Sequence, residues 1–253
     1  MKYFTKFFYV VIVLSLFSCA SRKKIVYLQN ASTESNNHSY EPYLQSDDVL
    51  LIIVSSENPE IAAPYNLKSV SIQGNSEEAI NSERQQTYII DNNGNIEFPI
   101  LGTMHLGGLT KTQAVQKIKN ELKEHVTDAV VNMRILNFKV SVLGEVNKPS
   151  SYNVKSERIT LLEALSLAGD LTVYGKRNNI LLIREQNGTK ILERIDITKS
   201  DFINSEYYYL KQNDVIYVEP NKTKINSSSI GPNITVGISA LSLIVTIIAL
   251  TTR

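Results

Sequence analysis

Tryptophan is absent from this sequence, and only one cysteine and three histidines occur in its 253 residues. A single cysteine excludes a disulfide within the chain. The formal net charge is +1, and the one basic run is Arg22-Lys23-Lys24, so nothing in the charge pattern favours binding to nucleic acid. We therefore predict no nucleic-acid partner.

Residues that carry out catalysis or bind metals are also scarce. His38 lies in a polar stretch, His105 follows a methionine, and His125 lies near the end of a predicted helix. None of the three has a ligand partner four residues away or an acidic cluster beside it, which a metal site would need. No Gly-x-Ser-x-Gly elbow and no nucleotide-binding glycine fingerprint occur. The sequence predicts a protein that is not an enzyme and has no metal or cofactor.

The N-terminus has the pattern of an export signal. Two lysines precede an apolar run, Phe7 to Phe17, that is too short for a typical membrane span, and Cys19 stands where cleavage would occur. Acylation of Cys19 explains this lone thiol better than pairing or catalysis, so we predict a lipoprotein signal peptide at 1–18 and a covalent lipid on Cys19. The alternative is an ordinary secretory signal with an incidental cysteine. Residues 19–40 are predicted to form the acylated N-terminus and a polar tether.

The stretch Tyr88–Val126 predicts two strands and a helix. Tyr88–Ile90 and the alternating run that contains Ile96 and Phe98 flank the turn Asp91–Gly94, which is typical of a tight hairpin. Pro99 ends the second strand. Thr110 and Gln113 form a capping box at the start of a helix whose apolar residues recur at helical spacing.

This stretch resembles the signature of a known family. The string Y-x-I-D-x-x-G-x-I-x-F-P-x-L-G, followed by G-L-T-x-x-x-A, is similar to that of the outer-membrane polysaccharide export proteins of the Wza type. It assigns structural roles in turns to Gly94, Pro99 and Gly102. Upstream, Asp47 occupies a position where the family usually has glycine, before a predicted buried strand.

A second unit resembles the SLBB, or soluble-ligand-binding β-grasp, domain of the same proteins. The run from Lys139 to Tyr152 matches V-x-G-x-V-x-x-P-x-x-Y, with Gly144 and Pro149 at its bends. A second capping box then starts a helix, Gly169 is placed to close it, and Asn187-Gly188 indicates a hairpin. The pattern Leu-x-x-x-Asp-Val occurs twice, starting at Leu44 and at Leu210. Either a duplication or two good turns before a strand would produce it.

The C-terminal segment is apolar. Residues 234–250 are uncharged and roughly long enough to cross a membrane as a helix. Their hydroxyl groups fall on one stripe of that helix, which favours packing between several copies over a lone anchor. In a lone anchor, each hydroxyl would bond its own backbone carbonyl. The stripe consists of Thr235, Ser239, Ser242 and Thr246.

These observations predict an α+β protein. It would have a polysaccharide export domain at 41–137 with a ββα unit, one β-grasp SLBB domain at 138–220, a linker at 221–233 and a transmembrane helix at 234–250. The resemblance implies an outer-membrane lipoprotein whose homo-oligomer exports capsular or exopolysaccharide, with an inner-membrane polysaccharide co-polymerase or tyrosine kinase as partner. The alternative is a lipid-anchored periplasmic protein that binds a sugar without conducting it. The role of the polar loop at 66–86 is not predicted.

Overall fold

The computed structural model describes residues 25–30, 40–67, 87–186, 188–229 and 232–251. The predicted signal peptide, Cys19, most of the 66–86 loop and Asn187 lie outside these ranges. Helices and sheets are mixed in both units of the body, as an α+β fold requires. The strands are β1 Val49–Ser55, β2 Tyr88–Ile89, β3 Asn95–Phe98, β4 Gly102–His105, β5 Val130–Ile135, β6 Lys139–Gly144, β7 Ser150–Asn153, β8 Gly175–Gln186, β9 Thr189–Ile195 and β10 Val215–Pro220. The helices are α1 Pro59–Ala62, α2 Lys111–Leu122, α3 Leu161–Leu167, α4 Lys222–Ser229 and α5 Pro232–Thr251.

The first unit packs helix α2 and a hairpin against a three-stranded antiparallel sheet. The strand order is β2-β1-β5, so β1 lies in the centre and β2 and β5 form the edges. Alternate residues of β1, which are Leu50, Ile52 and Val54, are buried in one apolar core with Ile118 and Leu122 of α2. The capping box predicted at the start of α2 forms as expected.

One strand pairing differs from the prediction. We expected Tyr88–Ile90 and the strand after it to pair as a hairpin, but β2 pairs with β1, and β3 pairs with β4. The turn between them still forms, because the Asp91 carboxylate accepts hydrogen bonds from the backbone N–H groups of Asn93 and Asn95. The hairpin therefore closes one turn later, across Pro99.

The second unit is a mixed five-stranded sheet with helix α3 packed on it. The strand order is β7-β6-β10-β8-β9, and only the central pair, β6 and β10, runs parallel. Val140 and Val142 of β6, Ile216 of β10 and Leu161 and Leu165 of α3 belong to a second apolar core, separate from the first. The capping box at Thr160 and Glu163 forms as predicted.

The C-terminal region contains two helices. The predicted linker at 221–233 includes α4, which begins where Asn221 accepts hydrogen bonds from Lys224 N–H and Ile225 N–H. A helix also covers the predicted span, but among the described residues none is long and apolar enough to cross a membrane.

Candidate functional site

The two units meet at a pair of matching turns, Gln45–Asp48 and Lys211–Asp214. In each turn the carboxylate of the last residue accepts a hydrogen bond from the backbone N–H of the first, at 2.8 Å for Asp48 and 2.7 Å for Asp214. Each turn also has one residue with positive φ, +68° at Asp47 and +64° at Asn213. The repeated Leu-x-x-x-Asp-Val pattern thus produces the same local structure twice.

Two amide side chains join these turns. Asn137 accepts a hydrogen bond from Val49 N–H at 2.9 Å and donates one to the Asp47 carbonyl at 2.8 Å. Gln212 donates to the Asn137 carbonyl and accepts from Lys139 N–H, both at 2.8 Å. Asn137 thus ties the segment between the units to the first turn, and Gln212 ties the same segment to the second turn.

Further contacts lie around this junction. The ring of Tyr40 stacks on that of Tyr209 with centroids 4.6 Å apart, and the Tyr40 hydroxyl reaches the Leu210 carbonyl at 3.4 Å. Lys111, at the start of α2, forms an ion pair with Glu157 of the second unit. These contacts join segments more than 40 residues apart, which no local sequence pattern predicts.

Asp214 is fully buried and is neutralised by a buried arginine. Arg184 binds its carboxylate with two nitrogens, Nε at 2.9 Å and Nη2 at 2.7 Å, and also donates to the Tyr209 carbonyl. Only 2% of the Arg184 side chain and none of that of Asp214 is exposed. The charge of this carboxylate is therefore fully compensated inside the second unit.

Asp48 is almost as deeply buried as Asp214, but it forms no ion pair with any residue that the structure describes. Its Oδ1 atom has no hydrogen-bond partner among those residues, and burial raises the pKa of this carboxyl group to about 6. A cavity of about 20 Å³ lies beside it, with Tyr43, Ile135, Phe138 and Lys211 among its lining residues. That volume holds about one water molecule. Sequence analysis predicted only a turn here, since burial of the carboxylate depends on residues from the other unit.

We expect Asp48 to make the stability of the protein depend on pH. The folded pKa of about 6 lies above the ordinary value of 3.8, so folding favours the protonated form. The stabilisation is complete below about pH 4 and is lost as the pH rises through 6, a change of about 3 kcal/mol. Asp48→Asn should reduce this fall in the free energy of unfolding, measured by urea denaturation at pH 4, 5, 6 and 7. Asp47→Asn, an exposed neighbour with a positive φ that asparagine tolerates, is the matched control, and equal pH profiles for the two variants would contradict the prediction.

The six predicted motif residues lie at turns and at element ends, dispersed over both units. Gly144 is the most constrained of them, because a Cβ atom there would lie 2.1 Å from the Val218 carbonyl oxygen and φ is +89°. Gly94, with φ +81°, would bring a Cβ to 2.7 Å from the His105 ring. Pro99 begins the β3–β4 turn, which Gly102 ends at the first residue of β4; Pro149 precedes β7, and Gly169 follows α3. A Cβ at Gly169 would meet the side chains of Asn147 and Lys148. The structural roles of the six residues remain predictions.

A short N-terminal segment that we expected to be tether is docked on the second unit. Residues 25–30, named the strap, donate hydrogen bonds from Leu28 N–H to the Ile197 carbonyl at 3.1 Å and from Gln29 N–H to the Thr198 carbonyl at 2.7 Å. The Tyr27 hydroxyl donates to Asp170 Oδ1 at 2.5 Å. Burial and this bond raise the pKa of the Tyr27 hydroxyl above its ordinary value. The tether was predicted from the polar residues 30–39, and nothing in the local sequence of residues 25–30 indicates partners as distant as Asp170 and Ile197.

The ring of Tyr27 lies beside a buried cation. The Arg177 guanidinium is centred 5.6 Å from the ring, and it donates hydrogen bonds to the carbonyls of Thr172, Gly175 and Leu171. Within the described part of the chain, Arg177 forms no ion pair with a carboxylate. The strap therefore covers a charge that would otherwise be poorly compensated.

The terminal helix α5 exposes apolar side chains around its circumference. Eight aliphatic residues are between 52% and 71% exposed: Val236, Ile238, Leu241, Leu243, Ile244, Val245, Ile247 and Leu250. Of the predicted stripe, Thr246 donates to the Ser242 carbonyl at 2.8 Å, and Ser239 also has a partner. The side chain of Thr235 lies outside the described residues. Since Thr246 is satisfied within its own helix, the stripe alone does not require a second copy.

Comparisons with known proteins match both units. The family model described as polysaccharide biosynthesis/export protein matches residues 36–136, and the model described as SLBB domain matches residues 138–218. The EPS I polysaccharide export outer membrane protein EpsA of Ralstonia solanacearum is 24% identical over 184 residues, which cover 72% of this chain and 48% of that protein. The protein of the same name from Ralstonia nicotianae is 28% identical over 147 residues, 56% of this chain and 39% of that protein. The chain thus spans about half the length, or less, of these curated relatives.

Proposed function

Because the chain belongs to the outer-membrane polysaccharide export family of the Wza type, with an export domain followed by one SLBB domain, we propose that it exports polysaccharide. The family predicted from the two motif strings is confirmed. In this proposal the protein is a lipoprotein of the outer membrane, it acts as a homo-oligomer, and its cargo is a capsular or exopolysaccharide. The function is transport, and we assign no catalytic role to any residue.

The exposed helix α5 is the observation that supports an oligomer best. Eight aliphatic side chains stand in solvent contact in the single chain, and apolar surface of that extent is stable only when something covers it. The α5 helices of other copies of this chain have the same length and the same apolar surface, and could cover it. We propose that they pack together and that the exported chain passes along the assembly.

The rival function is capture of a sugar without conduction. A sugar-binding protein would need a cleft large enough for a ring, lined by polar groups that bond its hydroxyls. The cavity at the junction of the two domains has a volume of about 20 Å³, enough for one water molecule. We therefore place no sugar site at that junction. An inner-membrane polysaccharide co-polymerase or tyrosine kinase is the partner that fits a transport role.

Two measurements test the oligomer. Complexes extracted from the outer-membrane fraction with detergent should have a mass several times the 28.4 kDa of one chain. Ser242→Cys should give disulfide-linked dimers on mild oxidation faster than Ile244→Cys, because residue 244 lies about 200° from residue 242 around the helix. A monomeric mass together with equal cross-linking at both positions would contradict the oligomer.

The lipid is tested at the one cysteine. We expect Cys19→Ser to abolish fatty-acid labelling and to leave an uncleaved or mislocalised precursor, because the acyl chain is the membrane attachment in this proposal. The change is large: the labelled protein should disappear from the outer-membrane fraction. Ser18→Ala, beside the cysteine, is the control and should be labelled normally. Unchanged labelling of the Cys19→Ser chain would refute the lipoprotein assignment.

A further inference from the structure

The strap shortens the path from the lipid to the folded body. Residues 19–40 were predicted to form the acylated N-terminus and a free tether, in which Tyr40 stands 21 residues after Cys19 and the chain between them reaches at most about 70 Å. Tyr27, however, is already attached to the SLBB domain through Asp170, and it stands only eight residues after Cys19. The attached length is then at most about 28 Å.

The attachment is a built contact with several independent parts. Two backbone bonds join the strap to Ile197 and Thr198 in the turn after β9, and Gln29 forms a parallel bridge with Lys199. The hydroxyl of Ser200 donates to the Asn30 carbonyl at 3.0 Å. Tyr27 and Leu28 pack against the SLBB core. None of the hydrogen bonds named above joins the strap to the export domain. Pulling on the N-terminus therefore acts on the SLBB domain.

The residues that lead into the strap have the composition of a membrane-surface segment. Arg22, Lys23 and Lys24 precede it in sequence, and Ile25 and Val26 at its start are 48% and 38% exposed. Basic side chains next to exposed aliphatic ones attach to anionic lipid surfaces. The partner that this end of the strap fits is a phospholipid surface.

We propose that the strap holds the SLBB domain close to the membrane and leaves the export domain without a direct link to the lipid. The inference rests on the proposed acylation of Cys19. It differs from the tether model in one measurable respect: the segments before and after the strap have unequal effects on the height of the SLBB domain. In a free tether, length added anywhere between Cys19 and Tyr40 has the same effect.

Two insertions in the full-length lipidated chain separate these models. A Gly/Ser linker of ~15 residues, with an end-to-end span of about 20 Å, is placed either between Lys24 and Ile25, so that the basic residues stay on the lipid side of the linker, or between Asn36 and Asn37. A donor dye on Lys190→Cys, an exposed SLBB position, reports energy transfer to acceptor lipids in vesicles containing phosphatidylglycerol. Cys19 is the one native cysteine and is blocked by its lipid, so the dye goes to one place.

We expect the insertion before the strap to lower the transfer efficiency about twofold for a rise of ~20 Å, and the insertion after it to leave transfer unchanged. Adding Tyr27→Ala should make the second insertion lower transfer as well. Equal transfer for both insertions, in chains that are labelled with fatty acid and float with vesicles, would overturn the strap while leaving the lipoprotein proposal intact. Absence of labelling in every chain would overturn that proposal and, with it, this inference.

Discussion

Removal of residues 232–253 should abolish polysaccharide export while leaving the two-domain body folded and attached to the membrane. The described side chains of α5 lie exposed and contribute nothing to either apolar core, so the body loses no internal contact. In an assembly of helices, by contrast, every copy would lose its neighbours. Surface polysaccharide should fall to the level of a strain that lacks the protein.

The control for this truncation keeps the helix and changes its stripe. Ser239→Ala with Ser242→Ala preserves length and helical propensity, so export should continue if the aliphatic surface is what the assembly needs. The thermal transition of the truncated chain, followed by circular dichroism, should match that of the full chain. Unimpaired export by the truncated chain would contradict transport through an assembly of α5 helices and would favour the sugar-binding function instead.

Local features of the fold were accessible from the sequence. The capping boxes at Thr110 and Thr160 formed because each involves residues only three positions apart, so neither depends on the rest of the fold. The repeated turn before β1 and before β10 belongs to the same class, since its carboxylate bonds an N–H three residues earlier.

Features that join distant segments were not accessible in this way. The pairing of β2 with β1 rather than with β3 is decided by a strand about 35 residues earlier, and the docking of the strap involves partners near residues 170 and 197. The tether was predicted from the polar run at 30–39, whereas the docked strap is the more apolar stretch at 25–30, which two backbone bonds and one tyrosine attach to the SLBB domain. The burial of Asp48 likewise arises only when the second domain closes over the first turn.

The matching turns at Asp48 and Asp214 show how one motif produces two different electrostatic outcomes. Burial without a cation leaves Asp48 with an unpaired oxygen at the junction. Asp214 has Arg184, which lies on β8, the strand next to β10 in the sheet. The order of strands in the sheet therefore places Arg184 beside Asp214. The repeated Leu-x-x-x-Asp-Val pattern does not contain this arginine.

Loss of that arginine should strongly destabilise the SLBB domain. Arg184→Met leaves the Asp214 carboxylate buried with one backbone donor, and breaking a buried pair in this way costs about 3–5 kcal/mol. Urea denaturation followed by tyrosine fluorescence should show an earlier SLBB transition with an unchanged slope. Lys111→Met, which breaks the half-exposed pair with Glu157, is the matched control and should cost at most about 1 kcal/mol.

The double variant Arg184→Met with Asp214→Asn separates the cost of an uncompensated charge from the cost of lost packing. Asparagine can still accept the hydrogen bond from Lys211 N–H that closes the turn, but it carries no charge. If burial of a lone carboxylate causes the destabilisation, the double variant should regain more than half of the free energy that Arg184→Met loses. A double variant no more stable than Arg184→Met would mean instead that the arginine acts through its packing and its bond to the Tyr209 carbonyl.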